Sequence, residues 1–317
     1  MEGSVALRDG RRLGFAEYGP STGRPVLWFH GTPGARRQIP PDARVAAVQR
    51  NVRLIAIERP GVGSSTRHLY GSLLDWARDV EDFAARFELE RFAIVGLSGG
   101  GPYVLACAAW MPDRVVAGAV LGGVAPTDGN EASPGGIVGL AKRLAPVLSL
   151  LREPLAHGLW LTARLLRPVA SQAFDLYMRI SPEGDRRIFA DPAMKEMFLD
   201  DLLRGSRRQL HAPVYDLVLF TRPWGFSLRD LVVPIEFWHG DVDNIVPLAH
   251  GQRLAALVPG SELNIREGRS HLGGFDAAAE VLDALLAHWP REPVPSPTTR
   301  ESAAGDRLAG DVALIGE

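Results

Sequence analysis

Short apolar runs alternate with amphipathic segments over the first part of the chain. Four runs, at residues 26–29, 54–57, 92–95 and 115–121, are long enough for buried strands and too short for helices. Between them lie helical patterns, clearest at residues 73–87, where apolar residues recur at spacings of three and four. A hairpin is indicated at the start, with strands at 4–8 and 12–18 around Asp9-Gly10. This alternation predicts a mainly parallel sheet covered by helices on both faces.

The pattern changes at residues 127–230, where helical patterns replace the alternation. Strand-like runs resume at 235–238 and 263–265, and helical patterns follow from Leu248 and from about Gly274. The chain therefore predicts an α/β core of residues 1–126 and 231–289, with a helical insertion at 127–230. We expect seven prolines to divide the insertion into short helices, namely Pro134, Pro146, Pro154, Pro168, Pro182, Pro192 and Pro213.

The insertion contains a leucine-rich run at residues 137–169 with many leucines at helical spacing. Because a helix buries one stripe of side chains against its neighbours, we expect most of these leucines to pack against the core. The remainder would line an apolar pocket beneath the insertion. Arg204, Arg207 and Arg208 offer an alternative, since basic side chains would favour an anionic substrate.

Composition narrows the classes of function. The formal net charge of −2 gives no general attraction to nucleic acid or anionic lipid. Cys107 is the only cysteine, which excludes an internal disulfide and suits a reducing compartment. The sequence shows neither a secretory signal nor an apolar run of the ~18 residues that a membrane span needs. We therefore expect a cytoplasmic protein with a small-molecule substrate, no nucleic-acid partner, and a disordered tail at residues 290–317.

Ser98 stands among glycines between a predicted strand and a predicted helix. The letters GLSGG at residues 96–100 fit the pattern G-x-S-x-G in the strand-turn-helix context of a nucleophile elbow. Glycines two residues on either side of the serine let the strand and the helix pack closely around a strained turn. The start of the helix then lies behind the serine, where its free N–H groups favour negative charge. Ser98 is therefore the candidate nucleophile.

His271 is the candidate general base. On such an elbow the nucleophile is followed along the chain by the acid and then by the histidine. His271 lies in the glycine-bounded loop GRSHLGG just after a predicted strand, the position where ligands meet an open α/β sheet. His250 and His288, by contrast, fall within or at the end of predicted helices.

The acid has three candidates. Asp241 and Asp243 lie in WHGDVDNIVP, after a predicted strand, and Asp128 follows the run at 115–121. A carboxylate in this role fixes the imidazole tautomer and stabilises the imidazolium. His239, Asp241 and Asp243 also resemble a set of metal ligands, but zinc sites need three or four ligands and no further histidine or cysteine cluster accompanies them. We expect no metal and no cofactor.

Two backbone N–H groups are predicted to form the oxyanion hole. One belongs to Gly99, directly after the nucleophile, and the other comes from the loop HGTPG at residues 30–34. Pro33 has no N–H group, so Thr32 is the expected donor. Such donors work because they are aimed beforehand at the position where negative charge develops.

Taken in order, the motifs HGTPG, ERPGVGSS, GLSGGG, HGDVDNIVP and GRSHLGG resemble the α/β-hydrolase family over nearly the whole chain to about residue 289. Its acid usually stands in G-x-x-D-x-x-V-P, which matches Gly240, Asp243, Val246 and Pro247, so the resemblance selects Asp243. The resemblance also implies an eight-stranded sheet with a helical cap inserted after the sixth strand. Ser270 is a departure, because the family often has glycine before the histidine.

The resemblance implies a serine hydrolase, and we expect a carboxylic-ester hydrolase for small to medium apolar acyl groups that works through an acyl-enzyme. Epoxide hydrolases and haloalkane dehalogenases of this fold carry aspartate at the elbow, so Ser98 argues against both. HGTPG is also similar to the HGGPG of proline iminopeptidases, which leaves a peptidase as an alternative. Lactone hydrolysis, C–C bond hydrolysis and a non-catalytic ligand receptor on the same fold stay open.

Overall fold

Eight strands form one sheet at the centre of the computed structural model, which describes residues 1–133 and 135–289. The strands are β1 (Glu2–Ala6), β2 (Arg12–Tyr18), β3 (Arg24–Phe29), β4 (Val52–Ile57), β5 (Phe92–Leu97), β6 (Val115–Leu121), β7 (Ile235–Gly240) and β8 (Glu262–Arg266). Their order across the sheet is β1-β2-β4-β3-β5-β6-β7-β8. β2 pairs antiparallel with β1 and β4, and all the other pairs are parallel. The predicted mainly parallel eight-stranded α/β sheet is confirmed.

Helices cover both faces of the sheet. The helices outside the insertion are α1 (Pro41–Gln49), α2 (Leu73–Arg86), α3 (Gly101–Trp110), α10 (Leu248–Leu257) and α11 (Ala278–Ala287). One apolar cluster joins α2, α3 and α10 to one face, and a second joins α1 and α11 to the other. Strands β5 and β6 are buried along their whole length, as their unbroken apolar runs predict. The last helix starts at Ala278 rather than near Gly274, because a 3₁₀ turn at His271–Phe275 precedes it.

Among the described residues between β6 and β7, where the sequence predicts the helical insertion, there are six α-helices. They are α4 (Gly136–Arg143), α5 (Ala145–Leu166), α6 (Ala170–Ile180), α7 (Glu183–Ile188), α8 (Pro192–Gly205) and α9 (Ala212–Phe220). Pro146, Pro192 and Pro213 lie in the first turns of α5, α8 and α9, where the missing N–H group costs nothing. The expectation that Pro154 also breaks a helix is wrong, because α5 continues through it. Pro154 is exposed, so water can reach the carbonyl that it leaves without a backbone donor.

The expectation that most of the leucines at 137–169 pack against the core is also wrong. Ala156 is the only buried residue of α5, a helix that is described in full, whereas Leu150 and Leu165 are 78% and 70% exposed. Trp160 and Ala163 of the same helix pack against the core residues Ala35 and Val62. Ala156, Trp160 and Ala163 therefore face the core on α5, and most of its leucines are exposed.

The predicted tail at 290–317 and the predicted helix break at Pro134 both lie outside the described residues. Among the helices that are described, none is long and apolar enough to cross a membrane.

Candidate active site

The turn between β5 and α3 presents Ser98 in a strained backbone conformation. Its φ angle is +50°, in the left-handed region that non-glycine residues rarely adopt. The flanking glycines are needed for close packing: a Cβ on Gly96 would lie 2.5 Å from the Gly100 carbonyl oxygen, and a Cβ on Gly100 would lie 2.4 Å from the Phe29 carbonyl oxygen. The GLSGG sequence thus forms a tight turn pressed against β3, with the serine at its apex.

His271 lies within hydrogen-bond distance of both Ser98 and Asp243, in the predicted order. His271 begins the 3₁₀ turn after β8, and its Nε2 lies 2.8 Å from Ser98 Oγ. Its Nδ1 lies 2.8 Å from Asp243 Oδ2, in the loop after β7. If Nδ1–H donates to the carboxylate, Nε2 carries no proton and accepts the hydrogen bond of the serine hydroxyl. The arrangement can remove a proton from Ser98.

The Asp243 carboxylate is buried and held as an anion. Its Oδ1 accepts hydrogen bonds from the N–H groups of Ile245 and Val246, both at 2.8 Å. Burial by itself would raise the pKa of Asp243, but the neighbouring His239 and His271 side chains outweigh it and hold the pKa well below its usual value. The carboxylate therefore stays ionised far into the acid range.

His239, which the sequence offered only as a possible metal ligand, is a neighbour of this carboxylate. Its Nε2 lies 2.7 Å from the Val246 carbonyl oxygen and 3.4 Å from Asp243 Oδ2. The signal was present in HGDVD, where the histidine precedes the aspartate by four residues at the end of a strand. His239 thus helps to fix the acid loop and is buried beside it.

The two other acid candidates lie apart from His271. Asp128 is exposed and pairs with Lys142 Nζ at 3.0 Å. Asp241 Oδ1 accepts a hydrogen bond from the Gly268 N–H group at 2.8 Å, which ties the acid loop to the loop before the histidine. Only Asp243 of the three has a carboxylate oxygen recorded within hydrogen-bond distance of the imidazole.

The two residues that carry the predicted oxyanion donors are neighbours, because the Thr32 side chain lies against Gly99. A Cβ on Gly99 would lie 2.2 Å from Thr32 Oγ1, so only glycine fits there without displacing Thr32. The HGTPG loop is anchored by Gln38, whose Oε1 accepts the Gly31 N–H at 2.6 Å. Thr32 Oγ1 in turn donates to Asp216 Oδ2 at 2.6 Å.

A buried ion pair supports this loop from behind. Arg59 Nη2 lies 2.8 Å from Asp216 Oδ2, and the two side chains are only 2% and 3% exposed. Arg59 also donates to the carbonyl oxygens of His30 and Gly31, and Tyr103 Oη donates to Asp216 Oδ1. The motif ERPGVGSS at residues 58–65, one of the series that resembles the family, supplies the arginine. One feature of the sequence could have indicated a role for Asp216, because it is the sole charged residue in the apolar run of α9.

Two further buried aspartates of the insertion reach loops beside the site. Asp201, from α8, accepts hydrogen bonds from the N–H groups of Ala35 and Arg37, both at 2.8 Å. Burial raises the pKa of Asp201 to about 7. Asp185, from α7, accepts the N–H of Leu272 at 3.2 Å, and burial raises its pKa as well. Together with Asp216, these carboxylates tie the helical insertion to the oxyanion loop and the histidine loop.

A cavity of about 380 Å³ opens onto Ser98, His271 and Thr32. Most of its walls are apolar side chains from the insertion, including Ala163, Leu166, Ala170, Ala173, Phe174, Tyr177, Phe198, Leu199, Leu202 and Leu203. Among the residues that the structure describes, none that lines this cavity carries a carboxylate or a guanidinium. Arg204, Arg207 and Arg208 line a separate cleft together with Glu2 and Glu58. The leucine-rich run thus contributes Leu166 to the cavity, as expected for a minority of its leucines.

Among the described residues, one group of metal-ligand type occurs away from this site. Glu153, His157 and His211 have ligand atoms within 4.8 Å of one another. Arg67 Nη1 lies 3.2 Å from His211 Nε2 and 3.3 Å from Glu153 Oε2, and Tyr215 Oη donates to Glu153. The guanidinium already supplies a positive charge at this cluster, so the geometry gives no reason to place a metal there.

Curated relatives match the chain over most of its length. A non-heme haloperoxidase from Rhodococcus erythropolis is 27% identical over 289 residues, which cover 89% of this chain and 97% of the relative. A non-heme chloroperoxidase from Kitasatospora aureofaciens is 26% identical and covers 83% of this chain and 90% of the relative.

Solved structures share the fold at lower identity. An esterase from Rhodococcus sp. ECU1013 aligns with a TM-score of 0.66 and 20% identity, covering 91% of this chain and 99% of that chain. The enol-lactonase from Burkholderia xenovorans LB400 aligns with a TM-score of 0.66 and 17% identity, covering 90% of this chain and all of that chain (100%). The model of the alpha/beta hydrolase family matches residues 26–284. With that match and the sheet described above, the chain belongs to the alpha/beta hydrolase family.

Proposed function

We propose that the protein is a carboxylic-ester hydrolase for small to medium apolar acyl groups and that it works through an acyl-enzyme. The observation that carries this proposal is the hydrogen-bonded series Ser98–His271–Asp243 at the mouth of an apolar cavity. Membership of a hydrolase family supports the reaction class. We propose also that residues 127–230 act as a cap, because their helices form the apolar walls above the serine.

In the proposed first step, Ser98 Oγ attacks the ester carbonyl while its proton passes to His271 Nε2. Asp243 keeps His271 in the tautomer that can accept this proton and stabilises the imidazolium. The N–H groups of Thr32 and Gly99 hold the oxyanion, and the C–O bond to the alcohol breaks as His271 returns the proton to the leaving oxygen. Water activated by His271 then cleaves the acyl-enzyme, which releases the acid and regenerates Ser98.

The cavity favours an apolar acyl group over the substrates of the alternatives. A peptidase that recognises a substrate amine needs an anionic partner, and the described residues of the cavity wall supply none. The apolar walls also disfavour an anionic substrate. The arginines considered for binding such a substrate line a different cleft. Lactones are esters and fit the same chemistry, so they belong in the substrate panel.

The names of the curated relatives favour a second candidate reaction at the same serine. They are called haloperoxidases, and hydrogen peroxide is a nucleophile that can replace water at an acyl-enzyme. Its attack would release a peroxy acid and return the proton to Ser98 by way of His271. The peroxy acid would then oxidise a halide to hypohalous acid and revert to the carboxylic acid. Halogenation that requires hydrogen peroxide, a halide and a carboxylic acid, and that Ser98→Ala abolishes, would support this candidate.

The main proposal is tested by labelling the purified protein with a fluorophosphonate and by assaying p-nitrophenyl esters and lactones. We expect labelling and turnover in the wild type and neither in Ser98→Ala, since a lost nucleophile costs several orders of magnitude in rate. Unchanged circular dichroism of Ser98→Ala would show that the fold is intact. Ligand binding with negligible turnover in the wild type would instead support a receptor, and wild-type rates in Ser98→Ala would contradict the nucleophile assignment.

A further inference from the structure

Helix α5 presents most of its large aliphatic side chains to solvent and not to the core. The buried Ala156, together with Trp160 and Ala163, follows one helical stripe, and the latter two pack against the core. The opposite side of the helix is apolar and at least 39% exposed at every one of eight positions, which are Val147, Leu150, Leu151, Leu155, Leu159, Leu161, Leu165 and Leu166. Surface helices of globular proteins normally bury their apolar stripe against the core and expose their polar residues.

The helices that precede and follow α5 in the chain also carry exposed apolar side chains. Ile137 and Leu140 of α4 and Leu176, Tyr177 and Ile180 of α6 are also exposed, Ile180 at 82%. We call this surface, formed by the exposed apolar side chains of α4, α5 and α6, the leucine face. Large exposed apolar surfaces mark sites of interaction with another apolar surface.

The charges around the leucine face are mainly positive. Six basic residues and two acidic residues occur between residues 136 and 180, although the whole chain carries a net charge of −2. Both acids are neutralised, Glu153 by Arg67 and Asp175 by Lys195. The exposed basic residues Arg143, Arg164 and Arg179 form no ion pair with the residues that the structure describes, so they remain available to an anionic partner.

The leucine face also reaches the cavity above Ser98. Leu166 and Tyr177 are 46% and 43% exposed on this face, and both line the cavity. An apolar molecule lying against α5 and α6 is therefore next to the walls that surround the nucleophile.

We propose that the leucine face docks onto an anionic lipid surface, with α5 lying in the plane of the interface. Interfacial helices combine leucines with basic residues in this way, and the 22 residues of α5 give a helix about 33 Å long. A second copy of the chain is the weaker partner, because it would bring two positively charged faces together. Docking does not depend on the proposed esterase activity; only the delivery of apolar esters from the lipid to the cavity rests on that function.

The test is cosedimentation of the full chain with two kinds of vesicle, pure phosphatidylcholine and equal parts of phosphatidylcholine and phosphatidylglycerol. We expect binding to the anionic vesicles and at least a tenfold weaker partition coefficient for the triple variant Leu150→Glu, Leu161→Glu and Leu165→Glu. Val48→Glu on α1 is the matched control, since Val48 is 65% exposed but lies outside the leucine face, and it should bind as the wild type does. Arg164→Gln should weaken binding about fivefold.

The variant Ser98→Ala separates vesicle binding from the proposed esterase activity. It should bind vesicles like the wild type even though it lacks turnover. Equal binding to both vesicles, no binding to either, or equal loss of binding in Val48→Glu would overturn the proposal. Light scattering completes the test: a dimer that the triple variant converts to a monomer, without vesicle binding in the wild type, would assign the leucine face to a second copy. Thermal unfolding checks that the variants remain folded, as expected for side chains that point into solvent.

Discussion

Thr32 Oγ1 donates a hydrogen bond of 2.6 Å to Asp216, a residue 184 positions later in the chain. This contact joins α9 of the helical insertion to the loop that carries one of the two proposed oxyanion donors. Because Arg59 binds the same carboxylate and two carbonyl groups of that loop, the position of Thr32 depends on a buried ion pair. The pair therefore has a consequence for catalysis that can be separated from its consequence for stability.

Asp216→Asn should lower both stability and turnover. It leaves the Arg59 guanidinium buried without a full counter-charge, and breaking a buried pair in this way costs about 3–5 kcal/mol. We expect a large fall in melting temperature and in kcat, with a smaller change in KM, because an oxyanion donor acts mainly on the transition state.

The double variant Arg59→Met with Asp216→Leu separates the two effects. Removing both charges should restore much of the stability that either single change loses, since no unpaired charge is left. Thr32 still lacks its anchor in this variant, so kcat should stay low. Wild-type kcat in a stable double variant would show that the pair is structural only.

The acid role of Asp243 is tested against that of Asp128. Asp243→Asn should reduce kcat by about 10⁴-fold, because the asparagine amide no longer holds His271 in the tautomer that accepts the Ser98 proton. Asp128→Asn should stay within about twofold of the wild type, since an exposed ion pair with Lys142 contributes little. Steady-state kinetics of the two variants decide the assignment, and a greater loss in Asp128→Asn would move the acid to the loop after β6.

What the sequence predicted depends on how local each feature is. Ser98, Asp243 and His271 each follow a strand within a short motif, so the parallel sheet alone brings their loops to one edge, although their catalytic roles stay predictions. Asp201 and Asp216 reach the oxyanion loop from helices more than 160 residues away along the chain, and no local pattern reports such a contact. The leucines of α5 are a further example of a feature that is not local. Helical spacing predicts that they share one face of the helix, but it does not predict whether that face packs against the core or is exposed.

Asp201 should make stability fall as the pH rises. Burial raises its pKa to about 7, whereas the unfolded chain releases the same proton near the ordinary value of 3.8. Between these values the folded state binds more protons than the unfolded state, so the free energy of unfolding decreases with pH across this window. The contribution is about 4 kcal/mol at most. We would measure urea unfolding of the wild type and of Asp201→Asn at about pH 5 and about pH 8. The free energy of unfolding of the wild type should be lower at the higher pH, and that of Asp201→Asn should not show this decrease.

Asp200→Asn is the control for this measurement. Burial alone would raise the pKa of Asp200, but its bonds to Arg204 and Arg37 outweigh it and lower the pKa. Its contribution to stability is therefore present above the ordinary aspartate range and is lost only at lower pH, so Asp200→Asn should keep the wild-type difference between the two conditions. The same difference in Asp201→Asn would contradict the assignment of the pH effect to Asp201.

The length of the acyl chain should control the rate of ester hydrolysis until the cavity is full. The cavity of about 380 Å³ is walled by apolar side chains of α5, α6 and α8, so each added methylene leaves water as the ester binds. Burying one methylene contributes roughly 0.8 kcal/mol, or about fourfold in kcat/KM if the gain is retained in the transition state. We therefore expect kcat/KM for p-nitrophenyl esters to rise from acetate to about hexanoate and then to level off. Phe174→Leu, which removes part of the wall, should shift the plateau toward longer chains, whereas Val48→Leu on α1, which does not line the cavity, should not. The series is measured below the solubility limit of each ester, and a steady decline from acetate onward would contradict the apolar acyl pocket.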